Sequence, residues 1–307
     1  MAGMIVVGVD SSTPSRAALD WSVRRAASTG SDVTLVHVVD DDSATNGARP
    51  VNGGHAGARR FLETEVEHAG SLEPTVVVHG ELRAGSPMRE LVAASAGADL
   101  VVVGTHKTGF VHGKVFGSRT LQLAAASRVP VAVIPESPIH GRSGIVAGID
   151  ESPASAAAVR FATEESERTG NPLYLVRAWG WHETLDDVDA SQHDENRRAE
   201  TTAKALLKST LALLEPEVDA HPRAVRRPAA EALVAAAASA SVLVIGNSRR
   251  DGEERLVLGS VAHDVLVNIT GPTIIVHAGD PTPGRSRRTD VSHEDQSRED
   301  QSREEPE

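Results

Sequence analysis

The sequence predicts an α/β protein of two tandem domains, each with a five-stranded parallel sheet covered by helices on both faces. Three observations predict this fold class. Short β-branched segments alternate with helical ones, the β-branched segments are apolar on both faces, and the whole pattern occurs twice. Right-handed crossovers in such a sheet place ligands at the carboxyl ends of the strands, where the winding direction switches.

The order of elements is readable in the first copy. Strands are expected over residues 4–9, 32–39, 75–79, 99–103 and 130–134. Helices are expected over about 55–69, 87–96 and 118–127, after a first helix that starts near residue 13. Thr13 is the expected cap of that helix, because Pro14 suits the first helical position and ALDWSVRRAAS has helical spacing.

The second copy follows at a shift of about 140 residues. IVVGVDSSTPS at 5–15 matches IVAGIDESPAS at 145–155, and DLVVVGTHK at 99–107 matches SVLVIGNSR at 241–249. A repeat of this length is a complete domain rather than a solenoid unit. We therefore expect one domain at residues 1–138 and a second at residues 142–279.

The second copy is less regular than the first, and the chain continues beyond it. Its third strand, near residues 217–225, is poorly apolar and is expected at a sheet edge. Residues 181–200 are expected to form an exposed loop that leads into a helix. Residues 280–307 contain EDQSREDQSREE with no apolar anchor, so we expect a disordered acidic tail.

Composition narrows the classes of function. The 307-residue chain has 40% hydrophobic residues, no cysteine and a formal net charge of -12. The lack of cysteine excludes disulfides, thiolate metal sites and cysteine nucleophiles. The acidic balance argues against sequence-independent binding to nucleic acid or anionic lipid. No signal peptide or membrane-length apolar run is readable, so we expect a cytoplasmic protein whose partners include neither nucleic acid nor membrane.

The loop GTHKTGFVHGKVFGS, residues 104–118, is close to a Walker phosphate loop but lacks its spacing. Gly109 and Gly113 enclose three residues instead of four. Val115 follows Lys114, where a magnesium ligand would need a hydroxyl group. The Walker interpretation therefore fails.

The end of the same loop nevertheless predicts an anion site. Gly117 and Ser118 stand at a helix start, where free amides and the helix dipole favour negative charge. Asp10 follows the first strand, where its carboxylate can accept hydrogen bonds from ribose hydroxyls, and the backbone around Val38 ends the second strand. These features converge at the strand ends, so the sequence predicts a nucleotide that extends from Asp10 to Ser118.

These motifs resemble those of tandem universal stress proteins, and the resemblance covers nearly all of residues 1–279. Nucleotide-binding members of that family carry Gly, two residues, Gly, nine residues and Gly-Ser/Thr after the fourth strand. The resemblance implies a Rossmann-like, adenine nucleotide alpha hydrolase-like fold with strand order 3-2-1-4-5 in each domain. It also implies ATP as the ligand, with Mg²⁺ as a further expectation, and an intramolecular pseudo-dimer formed through the fifth strands VPVAVI and GPTIIV.

The resemblance assigns nucleotide positions in both copies. They are Asp10, Val38, Gly104, Lys107, Gly117 and Ser118 in the first domain, and Asp150, Ala178, Gly246, Arg249, Gly259 and Ser260 in the second. In the family, the aspartate lies near the ribose, the residue after the second strand contacts adenine through its main chain, and the first glycine lies near the sugar and phosphates. The last Gly-Ser contacts the phosphates.

Both copies depart from the family pattern at its second glycine, where Lys107 and Arg249 stand. A side chain there could block the phosphates, or a cation could bind them. Two further glycines keep the first loop flexible, whereas Glu253 and Glu254 lie close to the phosphate position in the second loop. The first site is therefore ranked above the second.

The same residues also have ordinary structural interpretations, which stay open at the level of sequence. Asp10 and Asp150 could be charges that favour a helix dipole, and the glycines could serve turn geometry. Ser118 and Ser260 could be helix caps.

Other polar and aromatic residues carry weaker signals. His106 and His112 share a loop, but no third ligand has fitting spacing, so no metal site is expected. Trp179 and Trp181 follow a strand near the adenine position, where filling the strand end is a simpler role than stacking. No catalytic triad is readable, and no catalytic residue is assigned.

The sequence thus predicts a universal stress protein that binds ATP, mainly in its first domain, and uses occupancy as a stress signal. A homodimer and a regulatory protein partner are further expectations. It is not expected to be an enzyme, and the family analogy allows at most slow hydrolysis or self-phosphorylation near Ser118 or Thr120. The main alternative is a nucleotide-free interaction module. An enzyme on the same fold, such as a nucleotidyl transferase or flavoprotein, would need converging catalytic groups that the sequence does not show.

Overall fold

The computed structural model describes residues 3–40, 54–106, 118–136, 141–180, 190–247 and 258–279. Its strands are β1 (Met4–Gly8), β2 (Asp32–Val39), β3 (Val78–Ala84), β4 (Leu100–Thr105), β5 (Val131–Pro135), β6 (Ile145–Gly148), β7 (Leu173–Ala178), β8 (Ala220–Val225), β9 (Val242–Asn247) and β10 (Thr273–His277). Its helices are α1 (Thr13–Thr29), α2 (Gly54–Leu72), α3 (Pro87–Ala94), α4 (Ser118–Ala126), α5 (Pro153–Thr169), α6 (Ala190–Leu211), α7 (Ala229–Ala237) and α8 (Ser260–Val267).

All ten of these strands form one continuous sheet in the order β3-β2-β1-β4-β5-β10-β9-β6-β7-β8. Each half therefore has the predicted order 3-2-1-4-5, and strands within each half pair in parallel. The halves meet where β5 and β10 pair antiparallel, which places the two fifth strands together as the family resemblance implied. This pairing removes the apolar edges that two separate sheets would expose.

Helices cover both faces of the sheet, which explains why the strands are apolar throughout. In the first half, Leu19 of α1 and Leu62 of α2 are buried on one face, and Leu91 of α3 and Leu123 of α4 on the other. Successive strand residues point to opposite faces, so a doubly covered strand must be apolar at every position. The predicted fold class is confirmed.

The first helix is capped one residue earlier than the sequence predicted. Ser12 is the N-cap, with φ -84° and ψ 153°, and its hydroxyl accepts a hydrogen bond from the Ser15 amide. Thr13, the predicted cap, is instead the first helical residue. Ser152 caps α5 by the same contact, accepting from the Ser155 amide. Serine at a cap satisfies one amide that the first turn leaves without a helical partner.

The third strand begins later than residues 75–79, the range predicted for it. The Val76 amide donates to the Glu73 carbonyl in a turn, and pairing with β2 begins at Val78 and runs to Ala84. The strand thus continues into polar residues, because it lies at a sheet edge and is covered less completely than the central strands. The apolar run Val76–Val78 marks only its entrance.

In the second copy, the predicted edge strand is confirmed, whereas the predicted loop is partly helical. β8 lies at the outer edge of the sheet, as predicted, and contains Pro222, which an edge strand tolerates. Residues 190–200, predicted as part of an exposed loop, are instead helical, because α6 begins at Ala190. Residues 181–189 and the predicted tail at 280–307 lie outside the described residues. Among the described helices, none is long and apolar enough to cross a membrane.

Candidate functional site

The candidate site is an open cleft at the carboxyl ends of the first-half strands. It has a volume of about 300 Å³ and lies between the ends of β1 and β4, beside the starts of α1, α3 and α4. Three of the predicted site residues line it: Asp10, Val38 and Gly104. The switch in winding direction falls between β1 and β4, so the fold itself opens the sheet at this point.

The walls of the cleft divide into apolar and polar parts. Val36, Met88, Leu91 and Val103 join Val38 as apolar lining. The polar lining beyond Asp10 comprises Ser12, Ser15, Asp40, Thr105, His106, Arg119 and Thr120. An apolar wall with a few convergent polar groups is the usual make-up of a small-molecule site.

Asp10 is exposed at the end of β1 and shapes the turn into α1. Its Oδ1 accepts a hydrogen bond of 2.9 Å from the Ser12 amide, and its own amide donates to Ser15 Oγ at 2.8 Å. Asp150 repeats both contacts with Ser152 and Ser155, at 2.8 and 2.9 Å. The aspartates therefore have the structural role at a helix start that the sequence left open, and it occupies one of the two carboxylate oxygens.

Gly104 and Gly246 are required by a close approach of helix to strand. A Cβ on Gly104 would lie 2.2 Å from the Pro14 carbonyl carbon, and one on Gly246 would lie 2.4 Å from that of Ala154. Neither glycine has a positive φ, so the suggested turn geometry is not the reason for either. These glycines bring the start of α1 or α5 against the end of the fourth strand, which sets the position of the aspartates.

The backbone of Val38 is open to the cleft because β2 is longer than its neighbour. The last β1–β2 pair joins Gly8 to Val36, and β2 continues to Val39 against β3 alone. Main-chain groups on the β1 side of Val38 thus have no strand partner there. Ala178 holds the matching position on β7, where the last β6–β7 pair joins Gly148 to Val176.

The first difference between the copies lies one residue before these positions. His37 is buried, and its Nδ1 lies 2.8 Å from the Val9 carbonyl oxygen. Its counterpart Arg177 donates to the Ile149 carbonyl at 3.2 Å and to the Glu151 carboxylate at 3.0 and 3.2 Å. The second copy therefore holds an arginine–glutamate ion pair beside its aspartate, where the first copy holds a buried imidazole.

The second difference lies at the predicted phosphate position. Gly259 is the N-cap of α8, and its amide donates to Asn247 Oδ1 at 2.8 Å. Asn247 is only 1% exposed and stands where the first copy has Thr105. An amide that the resemblance assigned to phosphate is thus already hydrogen-bonded within the protein. Ser260 is the first residue of α8 rather than its cap.

Asn247 and Arg177 were missed as features of the site by sequence reasoning. The available signal was their place at strand ends, combined with the change from Thr105 and His37 in the other copy. Asp40 and Arg119 were also missed, and they face each other at the mouth of the first cleft, with 3.6 Å between Arg119 Nη2 and Asp40 Oδ2.

Several predicted residues are described in part or not at all. α4 begins at Ser118, which agrees with a helix start, but its side chain is outside the described part of the chain. Lys107, Gly117 and Arg249 lie outside the described residues, so the replacement of the second glycine stays a prediction in both copies.

The histidines and tryptophans that the sequence singled out are partly within the described residues. Within them, no group of three or more His, Asp or Glu side chains is placed to hold a metal ion. His106 lines the cleft, and His112 lies outside the described residues. Trp179 is half-buried at the end of β7, with the Arg226 guanidinium 6.0 Å from its ring centroid, while Trp181 is not among the described residues.

Comparison with known proteins places this arrangement in one family. The model of the universal stress protein family matches residues 1–135 and again residues 142–277. A universal stress protein of Mycolicibacterium smegmatis is 31% identical over 289 residues, which are 89% of this chain and 96% of the relative.

A solved structure shares the fold over most of the chain. The crystal structure of a universal stress protein from Archaeoglobus fulgidus aligns with 90% of this chain and 98% of its own, at a TM-score of 0.63 and 16% identity. Another universal stress protein was solved in complex with cAMP, and it aligns with 44% of this chain and 98% of its own, at 21% identity and a TM-score of 0.35.

Proposed function

The chain belongs to the universal stress protein family, and on that premise we propose that it binds an adenine nucleotide, ATP first among them, in the cleft of its first domain. Occupancy of this cleft acts as a signal under stress. One observation carries the proposal: the open cleft of about 300 Å³ is lined by Asp10, Val38 and Gly104. These are the positions that the resemblance assigns to ribose, adenine and sugar-phosphate.

The lining matches the parts of a nucleotide. The apolar residues Val36, Met88 and Leu91 suit a flat base, and the backbone of Val38 offers it main-chain hydrogen bonds. Asp10 suits a ribose hydroxyl, because a carboxylate accepts such a bond strongly. The start of α4, with Arg119 on its first turn, suits a phosphate by its free amides and its charge.

The second domain is proposed not to bind, which gives one nucleotide per chain. Arg177 and Glu151 form an ion pair beside Asp150, and Asn247 accepts from the Gly259 amide. A phosphate that used the Gly259 amide would have to displace Asn247, which would leave the buried Asn247 side chain without that hydrogen bond.

Turnover of the bound nucleotide is proposed to be slow or absent. The Asp10 carboxylate already accepts a hydrogen bond from the Ser12 amide, and the Asp40 carboxylate faces Arg119. Neither carboxylate is therefore positioned as a general base that would activate water. The protein then acts as a sensor or regulator through a protein partner rather than as an enzyme, and a cytoplasmic location fits that role. Hydrolysis of ATP by the purified chain, followed over hours, checks this point.

Calorimetric titration of ATP into the full chain tests the binding proposal, with and without magnesium. We expect one saturable site per chain in the wild type and in Asp150→Ala, the matched control. Asp10→Ala and Gly117→Val should weaken binding at least about tenfold, which is about 1.4 kcal/mol. Parallel titrations with AMP and cAMP give the preferred nucleotide. Equal losses in Asp10→Ala and Asp150→Ala, or two sites per chain, would contradict the assignment to the first domain.

A nucleotide-free interaction module is the second candidate, favoured by the pair Arg119–Asp40 at the mouth of the first cleft. The two charges face each other at 3.6 Å, so the phosphate side of the cleft has a counter-charge within the protein. Absence of heat and of any thermal shift up to millimolar ATP, adenosine phosphates and cAMP would favour this candidate. The Asp40→Asn variant should then show neither heat of binding nor a thermal shift with these nucleotides, like the wild type.

A further inference from the structure

The two halves of the molecule meet along an interface that relates equivalent elements to each other. β5 and β10 pair at the centre of the sheet, with α1 packed over β5 and α5 packed over β10. The sequence offset between copies is 140 residues for α1 and α5, and 142 residues for β5 and β10. Equivalent positions can therefore be compared directly across the interface.

The strand pairing is centred on one pair of equivalent positions. Ala132 lies opposite Ile274, and these two residues occupy the same place in their copies. On either side, Val133 lies opposite Thr273 and Val131 opposite Ile275, as a local two-fold axis through the central pair requires. Both central side chains are fully buried. At the axis, a small side chain thus faces a large one.

In the helix layer above the strands, equivalent positions also carry different side chains, and here they differ in charge rather than in size. Arg25 of α1 and Glu165 of α5 are equivalent positions, and Arg25 Nη1 donates to both carboxylate oxygens at 2.6 Å. Each side chain is only 7% exposed. The Arg25 guanidinium also lies 5.5 Å from the ring centroid of Trp21 and 5.6 Å from that of Phe161, which are again equivalent positions.

A further equivalent pair completes the cluster between the two helices. Arg168 of α5 forms an ion pair with Glu165 and a hydrogen bond with Ser28 of α1. Ser28 and Arg168 are equivalent, so each copy brings a different side chain to this position as well. The interface is therefore formed by chemically different residues at equivalent positions of the two copies.

Pairing between identical domains would place each of these residues against itself, because a two-fold interface joins one patch to its own copy. Two first domains would bring two Arg25 side chains together with no Glu165, and would leave a gap between two Ala132 side chains. Two second domains would crowd Ile274 against Ile274, although each Glu165 would keep its own Arg168. The larger penalty falls on the pair of first domains.

We propose that the Arg25–Glu165 and Ala132–Ile274 contacts restrict the first domain to a second domain as its partner, so that copies of this chain do not join through identical domains. A buried ion pair contributes little net stability compared with apolar residues of similar volume, whereas it can select a partner. Partner choice is therefore the quantity to measure.

The test uses the full chain, folded and then cut at a specific protease site placed at residues 137–140. The two fragments differ in length, so native mass spectrometry separates the mixed pair from the two identical pairs after dissociation in urea and refolding. We expect the wild type to give mixed pairs, with identical pairs below roughly a tenth of the total. A wild type that already gives the statistical share, about half identical pairs, would overturn the proposal.

Two variants each remove one part of the asymmetry. Arg25→Leu with Glu165→Leu makes the helix positions alike, and Ala132→Val with Ile274→Val makes the strand positions alike at nearly constant volume. Each should raise the share of identical pairs at least about threefold over the wild type. If one variant fails to fold, the other decides, and identical pairs at the wild-type level in every folded variant would contradict the proposal.

A matched control exchanges the strand residues without making them alike. Ala132→Ile with Ile274→Ala keeps one small and one large side chain at the axis. We expect mixed pairs to dominate as in the wild type. A rise in identical pairs equal to that of the valine variant would show that any repacking of the interface has this effect, and would sink the role assigned to asymmetry.

Discussion

The strand-end regions of the two copies share the same backbone arrangement and differ in the side chains around it. Asp10 and Asp150 make the same two hydrogen bonds at a helix start, and Gly104 and Gly246 allow the same close approach of helix to strand. In the second copy, however, Arg177 also pairs with the Glu151 carboxylate, and Asn247 accepts a hydrogen bond from the Gly259 amide.

The difference teaches that the glycine and aspartate positions do not by themselves distinguish a nucleotide-binding copy from a non-binding one. In both copies the glycines allow the helix to pack closely on the strand, and the aspartates accept a hydrogen bond from an amide at the helix start. The residues that differ between the copies are the neighbours at the strand ends, such as His37 against Arg177 and Thr105 against Asn247.

The largest expected effect comes from adding a methyl group at the glycines where helix and strand approach closely. Gly104→Ala should lower the free energy of unfolding by about 2–3 kcal/mol, because its Cβ would meet the Pro14 carbonyl at 2.2 Å. Gly246→Ala should cost a comparable amount, since the distance to Ala154 is 2.4 Å. Urea unfolding of the full chain measures both.

Gly70→Ala is the control for this pair. Gly70 lies in α2, and nothing lies within 4 Å of the added Cβ. It should raise stability by up to ~1 kcal/mol through helix propensity. A Gly104→Ala protein as stable as the control would refute the packing role of this glycine.

The next effect would convert the second site into a copy of the first. Arg177→His with Asn247→Thr removes both internal contacts, and we expect the stoichiometry of ATP binding to rise from one to two per chain. The new site should bind at least about tenfold more tightly than the same site in the wild type, or about 1.4 kcal/mol. Calorimetry gives the stoichiometry, and adding Asp150→Ala should abolish the gain. A stoichiometry still at one would mean that other residues close this site.

A smaller effect isolates the amide contact of Asn247. Asn247→Ala leaves the Gly259 amide without its side-chain acceptor and should cost about 1–2 kcal/mol of stability, as for the loss of a helix cap. Thr105→Ala in the first copy should cost less, because the Thr105 hydroxyl donates locally to the His106 carbonyl. Equal costs, measured by urea unfolding, would remove the distinction drawn between the copies.

The smallest effect concerns an ion pair that only the first copy has. Glu65 is buried and pairs with Arg16, whose counterpart in the second copy is Ala156. Burial raises the pKa of the Glu65 carboxyl, and the charges of Arg16 and His68 oppose that shift.

A raised pKa means that the folded state holds the Glu65 proton more tightly than the unfolded chain does. The contribution of this group to stability is therefore fully present below the unfolded pKa, about 4.3, and is lost as the pH rises through the folded value. Relative to Glu65→Gln, the wild type should lose a small increment of stability over that rise, seen in urea midpoints at several pH values. Parallel pH curves for the two proteins would contradict this assignment.

Much of the fold was readable from the sequence because its signals are local and repeated. Strand apolarity, the helix start at Pro14 and the shift between copies led to the fold class and the edge position of β8, and the family resemblance added the strand order. The start of β3 was wrong, since the run Val76–Val78 is apolar but the partner strand fixes where pairing begins. The cap at Ser12 was missed because Thr13, directly before the proline, is also a capping residue by type.

The sequence by itself determined that two homologous α/β domains place Asp10, Val38 and Gly104 at the strand ends, since periodicity and motif spacing act along the chain. The tertiary structure alone decided that Asn247 reaches the Gly259 amide, that Arg177 reaches Glu151, and that Arg25 meets Glu165 across the two-fold axis. These contacts join residues far apart in sequence or depend on backbone geometry at the ends of strands. Their energies depend on distance and burial, which only the folded chain fixes.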